Sequence, residues 1–171
     1  ACRDLVRGTA DLAIAGAARL ILVPQGDDQR MTIESSTGRT HAFAEGADGT
    51  GAGEGAIALV LKPLARALAD GDPVHGVILA TAVNQDGASS GAAAPNPIAQ
   101  ADVIRTAWDR AGVPFASVSY IEAHGTGTRL GDPIEIEGLT RAAGPVAFAE
   151  PAMIGSGKGN YGHLDNVAGA L

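Results

Sequence analysis

The 171-residue chain reads as a layered α/β fold. Short apolar runs bounded by glycine and charge alternate with segments of helical spacing. Clear start and stop signals flank the two strongest helices. Two predicted strands run into loops rich in glycine, threonine and histidine, as where α/β sheets present polar groups at their strand C-termini. A composition of 46% hydrophobic and 18% charged residues is that of a globular core, not of a disordered tail.

In chain order, Leu12–Ala18 and Gly55–Leu61 are predicted as buried strands. Pro24–Gly53 between them is polar and glycine-rich, so loops are expected with at most one short element. Pro63–Ala69 has the length of a short helix, ended by Asp70-Gly-Asp-Pro73. Val74–Val83 is predicted as another strand, leading into Asn84-Gln-Asp-Gly87 and a small-residue loop. Asn96-Pro97 starts a helix, with Asn as N-cap and Pro in the first turn. Ala101, Ile104, Trp108 and Ala111 share its apolar face, and Gly112 stops it. Val118–Ala123 is a strand delivering His124. Asp132-Pro133 opens the next helix with Glu135 at its third position, and Gly144-Pro145 closes it. Ala152–Ser156 is the last strand, followed by Lys158 and His163 before a final helix begins.

A net charge of −7 and the absence of a Lys/Arg run argue against general nucleic-acid binding. One cysteine excludes an internal disulfide framework and a Cys-rich zinc site, and suits a reducing, cytoplasmic setting. No apolar run approaches the length of a membrane span. The glycines of Gly49–Gly55 precede a strand and lack the G-K-[ST] of a P-loop, so they are read as a tight turn, with Glu54 buried and paired. His41 and His75 match no motif. With no H-E-x-x-H pattern or paired cysteines, no catalytic metal is expected.

The chemistry concentrates in Glu122-Ala-His124-Gly-Thr126-Gly-Thr128-Arg-Leu-Gly-Asp132-Pro-Ile-Glu135 and in Gly155-Ser-Gly-Lys158-Gly-Asn160-Tyr-Gly-His163. A neutral imidazole donates one hydrogen bond through a ring N–H. Two such rings converging on a carbonyl oxygen stabilise the enolate formed when a neighbouring carboxylate leaves as carbon dioxide. Decarboxylation needs no base, only donors aimed at the developing oxyanion. Lys158 supplies fixed positive charge beside them. Glycines around His124 and before His163 permit close approach. Asp132 and Glu135 are sufficiently explained as a helix cap and a favourable first-turn charge.

These residues, HGTGT at His124–Thr128, GDPIE at Gly131–Glu135 and a GSxKxNxGH pattern at Gly155–His163, resemble the β-ketoacyl synthase (ketosynthase) domain of modular type I polyketide synthases. Ala47-Asp-Gly-Thr-Gly-Ala-Gly-Glu-Gly55, Ala82-Val-Asn-Gln-Asp-Gly87 and Ala94-Pro-Asn96 extend the likeness over the whole chain in family order. The resemblance implies a thiolase-like αβαβα fold, here incomplete: residues 1–62 end the N-terminal half and 74–171 start the C-terminal half. It implies an acyltransferase that condenses an acyl thioester with a malonyl-type unit on acyl carrier protein. His124, His163 and Lys158 would be catalytic, and Asp132, Glu135, Thr126, Thr128 and Asn160 supporting. No bound cofactor is implied, since the phosphopantetheine arm belongs to the carrier protein, and the complete protein is expected to be a homodimer. The family's nucleophilic cysteine is expected upstream of Ala1, so Cys2 is not assigned that role and the segment alone is expected to be inactive.

The sequence departs from the family at Ala44 and Ala52, and at Gly157, Gly159 and Tyr161 around Lys158. Asn166-Val167 replaces an alanine pair, and Leu20–Arg30 matches poorly. Two other readings remain: a non-condensing ketosynthase-like structural partner, and a fatty-acid type condensing enzyme.

Overall fold

A computed structural model of the chain describes residues 1–22, 33–87, 94–145 and 151–170. Most of the poorly matched stretch Leu20–Arg30 and of the small-residue loop after Gly87 lies outside them. The chain forms two compact units.

In the first unit, helix α1 (Cys2–Val6), carrying a half-buried Cys2, leads into strand β1 (Ala13–Arg19), which pairs antiparallel with β2 (Gly55–Leu61) from Ala13↔Leu61 to Arg19↔Gly55. Both strands fall where the apolar runs place them. Val167, fully buried, and Leu164 pack beside this pair from a short 3₁₀ turn, Asp165–Val167, where a longer helix was expected. Arg19 fixes that turn with an ion pair to Asp165 at 2.9 Å. The opposite face is also apolar: Ile14 is 69% and Val60 67% exposed. Strands apolar on both faces belong to sheets covered on both sides. Helix α2 (Leu64–Asp70) follows and ends at left-handed Gly71. Glu54, expected to be buried, is exposed; its carboxylate accepts from the Ile21 amide.

Val74–Val83 forms no strand. The run has the right composition, but a strand exists through a neighbour's N–H and C=O groups, and it pairs with no strand among the described residues. Val83 is 92% exposed.

The second unit holds α3 (Pro97–Ala111), β3 (Tyr120–Glu122), α4 (Gly131–Ala143), β4 (Met153–Gly155) and a one-turn helix α5 (Lys158–Tyr161). The Asn96 side chain accepts from the amides of Ile98 and Ala99, and left-handed Gly112 closes α3, as the sequence predicts. Helices α3 and α4 pack together where Gly138 leaves room for Gln100. Strands β3 and β4 are parallel, with Glu122 opposite Gly155, so the intervening α4 is their crossover. Both strands therefore end on the same side, releasing the His124 loop and the Lys158 turn side by side. No helix of the described residues is long and apolar enough to cross a membrane.

Candidate active site

His124 is the second residue beyond β3, and its loop is held from behind by two carboxylates of α4. Glu135 accepts the amide of His124 on one oxygen (2.6 Å) and that of Gly125 on the other (2.8 Å). Asp132, buried at 5% exposure, accepts the Gly127 amide (3.0 Å) and the Phe43 amide (2.7 Å). Asp132 is thus not the helix cap that its place before Pro133 suggests. It lies inside the first turn, whose N-cap is Leu130, and satisfies amides of two other segments. Thr126 and Thr128 hydroxyls pair at 3.2 Å, and Thr128 also accepts from the Gly131 amide (3.0 Å), closing the loop onto α4.

The glycine-rich series Ala47–Ala52 clasps this loop. Gly49 donates its amide to the Gly127 carbonyl at 2.9 Å. Gly127, at φ +70°, lies so close that a Cβ would sit 2.8 Å from the Gly49 oxygen. Asp48 ties the clasp to Ser35 and Ser36, and the hydroxyls and amide it accepts hold its carboxyl down to about 2. His163 is placed by the same series: its amide donates to the Gly51 carbonyl at 2.6 Å, and it bridges to Ala52. Thr40 steadies that strip by accepting the Gly51 amide at 2.9 Å.

The two histidine rings consequently stand 5.4 Å apart, edge to face at 83°. At that spacing each can turn an N–H toward one shared acceptor. Burial pushes the His124 imidazole below its ordinary range although the residue keeps an exposed edge; the Lys158 charge acts in the same sense, against Glu135 and Asp132. Burial and Lys158 both favour the neutral imidazole, the form with one N–H to donate. Lys158 is itself buried, at 5% exposure, and opens α5. Its pKa is lowered by burial, against Glu135 and Glu122, which favour the charged form. It has no ion-pair partner within 4 Å among the described residues. Asn160 is exposed, and its side chain makes no hydrogen bond to them.

Sequence reasoning missed Phe43. It adopts φ +57°, rare for a bulky residue, while its amide is held by Asp132 and its ring edge lies where a Cβ on Gly125 would be 3.1 Å away. A lone aromatic in a polar, glycine-rich stretch is the one signal that pointed there.

The charge relation between Lys158 and His124 makes a prediction. Lys158→Met keeps the buried apolar stem but removes the cation that disfavours imidazolium, so the His124 pKa rises toward the ordinary range. The acid limb of any reaction that needs neutral His124 then moves to higher pH. Histidine NMR titration of the two proteins checks this, and coincident curves would refute it.

Residues 1–67 match the family model described as "Beta-ketoacyl synthase, N-terminal domain", and residues 75–171 match "Beta-ketoacyl synthase, C-terminal domain". The polyketide synthase ThaG of Burkholderia thailandensis is 49% identical over 99% of this chain, which spans 3% of that protein. Among solved structures, the ketosynthase from module 6 of the Bacillus subtilis bacillaene synthase superposes at a TM-score of 0.92 with 39% identity. The Streptomyces albus oxazolomycin ketosynthase domain OzmH KS7 does so at 0.91 with 41%. Each match covers 99% of this chain and 30% of the solved one. The fold is the thiolase-like ketosynthase fold, over the end of its N-terminal domain and the start of its C-terminal domain. With both domain models matched and the polyketide ketosynthases superposing over nearly its whole length, the chain belongs to the β-ketoacyl synthase family, as a segment of a polyketide-type ketosynthase.

Proposed function

We propose that this segment supplies the decarboxylating half of a condensing ketosynthase in polyketide assembly. The observation that carries the reading is the pair of histidine rings 5.4 Å apart, with burial and Lys158 favouring neutral His124. A malonyl-type unit arrives on the phosphopantetheine arm of an acyl carrier protein, with its thioester oxygen between the rings. The bond to its terminal carboxylate breaks, carbon dioxide leaves, and the electron pair becomes an enolate whose oxygen the His124 and His163 N–H groups stabilise. The enolate carbon then attacks the carbonyl of an acyl chain held as a thioester on a cysteine upstream of Ala1. A carbon–carbon bond forms, the cysteine thiolate leaves, and the β-ketoacyl thioester stays on the carrier protein.

Asp132, Glu135, Thr126 and Thr128 support this by fixing the His124 loop. Asn160 is assigned a supporting role by its place in the motif alone. On this reading residues 1–62 close the N-terminal half and 74–171 open the C-terminal half of a homodimeric enzyme that works in the cytoplasm and needs no bound cofactor.

The test is a complete ketosynthase domain carrying this segment, given an acyl donor and malonyl-loaded carrier protein. Carbon dioxide release together with a β-ketoacyl product, read by mass spectrometry, is expected. Release without product would move the assignment to a non-condensing partner, and neither would overturn it.

A further inference from the structure

The turn that carries Lys158 is held from outside by a carboxylate of β3. Glu122 accepts the Gly157 amide on one oxygen at 2.7 Å and the Tyr120 hydroxyl on the other at 2.6 Å. Each oxygen serves a different partner, which fixes the plane of the carboxylate. Gly157 is the N-cap of α5 and has no side chain with which to cap it. Glu122 thus satisfies an amide at the turn's entrance, where negative charge is favoured. Tyr120 reaches Glu122 across Gly155, where a Cβ would lie 2.7 Å from the phenol oxygen.

Tyr161 completes the arrangement. Side chains on a helical turn lean back toward its N-terminus, so residue 161 covers residue 157. The Tyr161 ring lies where a Cβ on Gly157 would be 2.7 Å from two of its carbons. Position 157 must stay bare while position 161 is aromatic. The same two positions are among those where the sequence leaves the GSxKxNxGH pattern's usual residues. Tyr161 is also near enough to Tyr120 to act on its phenol electrostatically.

Resting on the condensing reading above, we infer that Glu122 is a positioning residue for Lys158, and that Gly157 and Tyr161 are a matched pair whose packing keeps the clamp closed. Among the described residues, Lys158 is coupled electrostatically to Glu135 from α4, Glu122 from β3 and His124 from the loop between them. Glu122 has two separable effects: its hydrogen bond places the turn, and its charge, after that of Glu135, favours the ammonium form of the buried lysine.

Substitutions in a complete ketosynthase domain carrying this segment separate the two. Glu122→Gln keeps an acceptor for the Gly157 amide but loses the charge. The titration midpoint of Lys158, read by pH-dependent acetylation and mass spectrometry, should fall while malonyl decarboxylation at neutral pH stays within about threefold. Glu122→Ala loses both, and decarboxylation should also drop roughly 10- to 100-fold, the scale of an ångström-level misplacement. Gly157→Val should drop it similarly, whereas Gly157→Val with Tyr161→Ile should return to within about threefold of Tyr161→Ile alone. Unmoved Lys158 titration in both Glu122 variants, or simply additive losses at 157 and 161, would overturn the inference. If no variant, nor the parent, decarboxylates malonyl, the condensing reading fails instead. The clamp is then judged by the Lys158 titration and by coupling of 157 and 161 in the thermal midpoint.

Discussion

Replacing either His124 or His163 with alanine in a complete ketosynthase carrying this segment is expected to lower malonyl decarboxylation ~100-fold or more. Loss of one preorganised oxyanion donor removes ~3 to 4 kcal/mol of transition-state stabilisation. The ring that remains, 5.4 Å from the vacated position, cannot supply both bonds. The two losses should not add, because the rings serve one oxygen, and the double variant should fall little below the weaker single one. Substrate binding should change less than turnover. The bonds from the His124 and His163 backbone amides, to Glu135 and the Gly51 carbonyl, are available to the alanine variants as well, so the fold should persist. Carbon dioxide release measured alongside urea unfolding decides the matter, and near-normal release from either variant would withdraw the donor roles.

The largest stability effect is expected at Asp132. Its buried carboxylate accepts amides from two segments far apart in sequence, Phe43 and Gly127. Asp132→Ala leaves both N–H groups without an acceptor, and each such buried group costs about 1 to 3 kcal/mol. A loss of roughly 2 to 5 kcal/mol is therefore expected after local relaxation. Asp132→Asn retains one acceptor oxygen and should recover about half of that. Phe43, held at positive φ by one of these bonds, should relax, and the His124 loop should loosen with it. Equal urea midpoints for parent and alanine variant would show that water replaces the carboxylate without cost.

The unequal legibility of the fold follows from the range of the interactions. Helix α3 could be read because its signals are local: Asn96 caps it, Pro97 starts it and Gly112 stops it within one stretch of chain. Strands β1 and β2 were marked by runs of small and branched apolar residues between glycines. Val74–Val83 carries the same mark and forms no strand, since composition describes the residues and not the neighbour that pairs with them. At the site, the two histidines and Lys158 lie in motifs that name them. What holds them was not legible, because it joins distant segments: Asp132 to Phe43, Gly49 to Gly127, Gly51 to His163. Asp132 also misled, since an acid before a proline suits a helix cap as well as the cross-link it makes. Tyr161 and Gly157 looked like two separate departures until the ring was seen to occupy the space above the glycine.

The bond from the His163 amide to the Gly51 carbonyl has a consequence for the order of folding. The His124 loop can close on α4 from nearby sequence, because Glu135 and Asp132 follow it within a dozen positions. His163 reaches its place only by docking on a strip that left the ribosome more than a hundred residues earlier, and such a closure brings its contacts only after the entropy of the intervening chain is lost. On the proposed reading the donor pair is thus assembled late: a chain that has formed α3, α4 and the His124 loop holds half an oxyanion site until this contact, one of the most distant in the unit, is made.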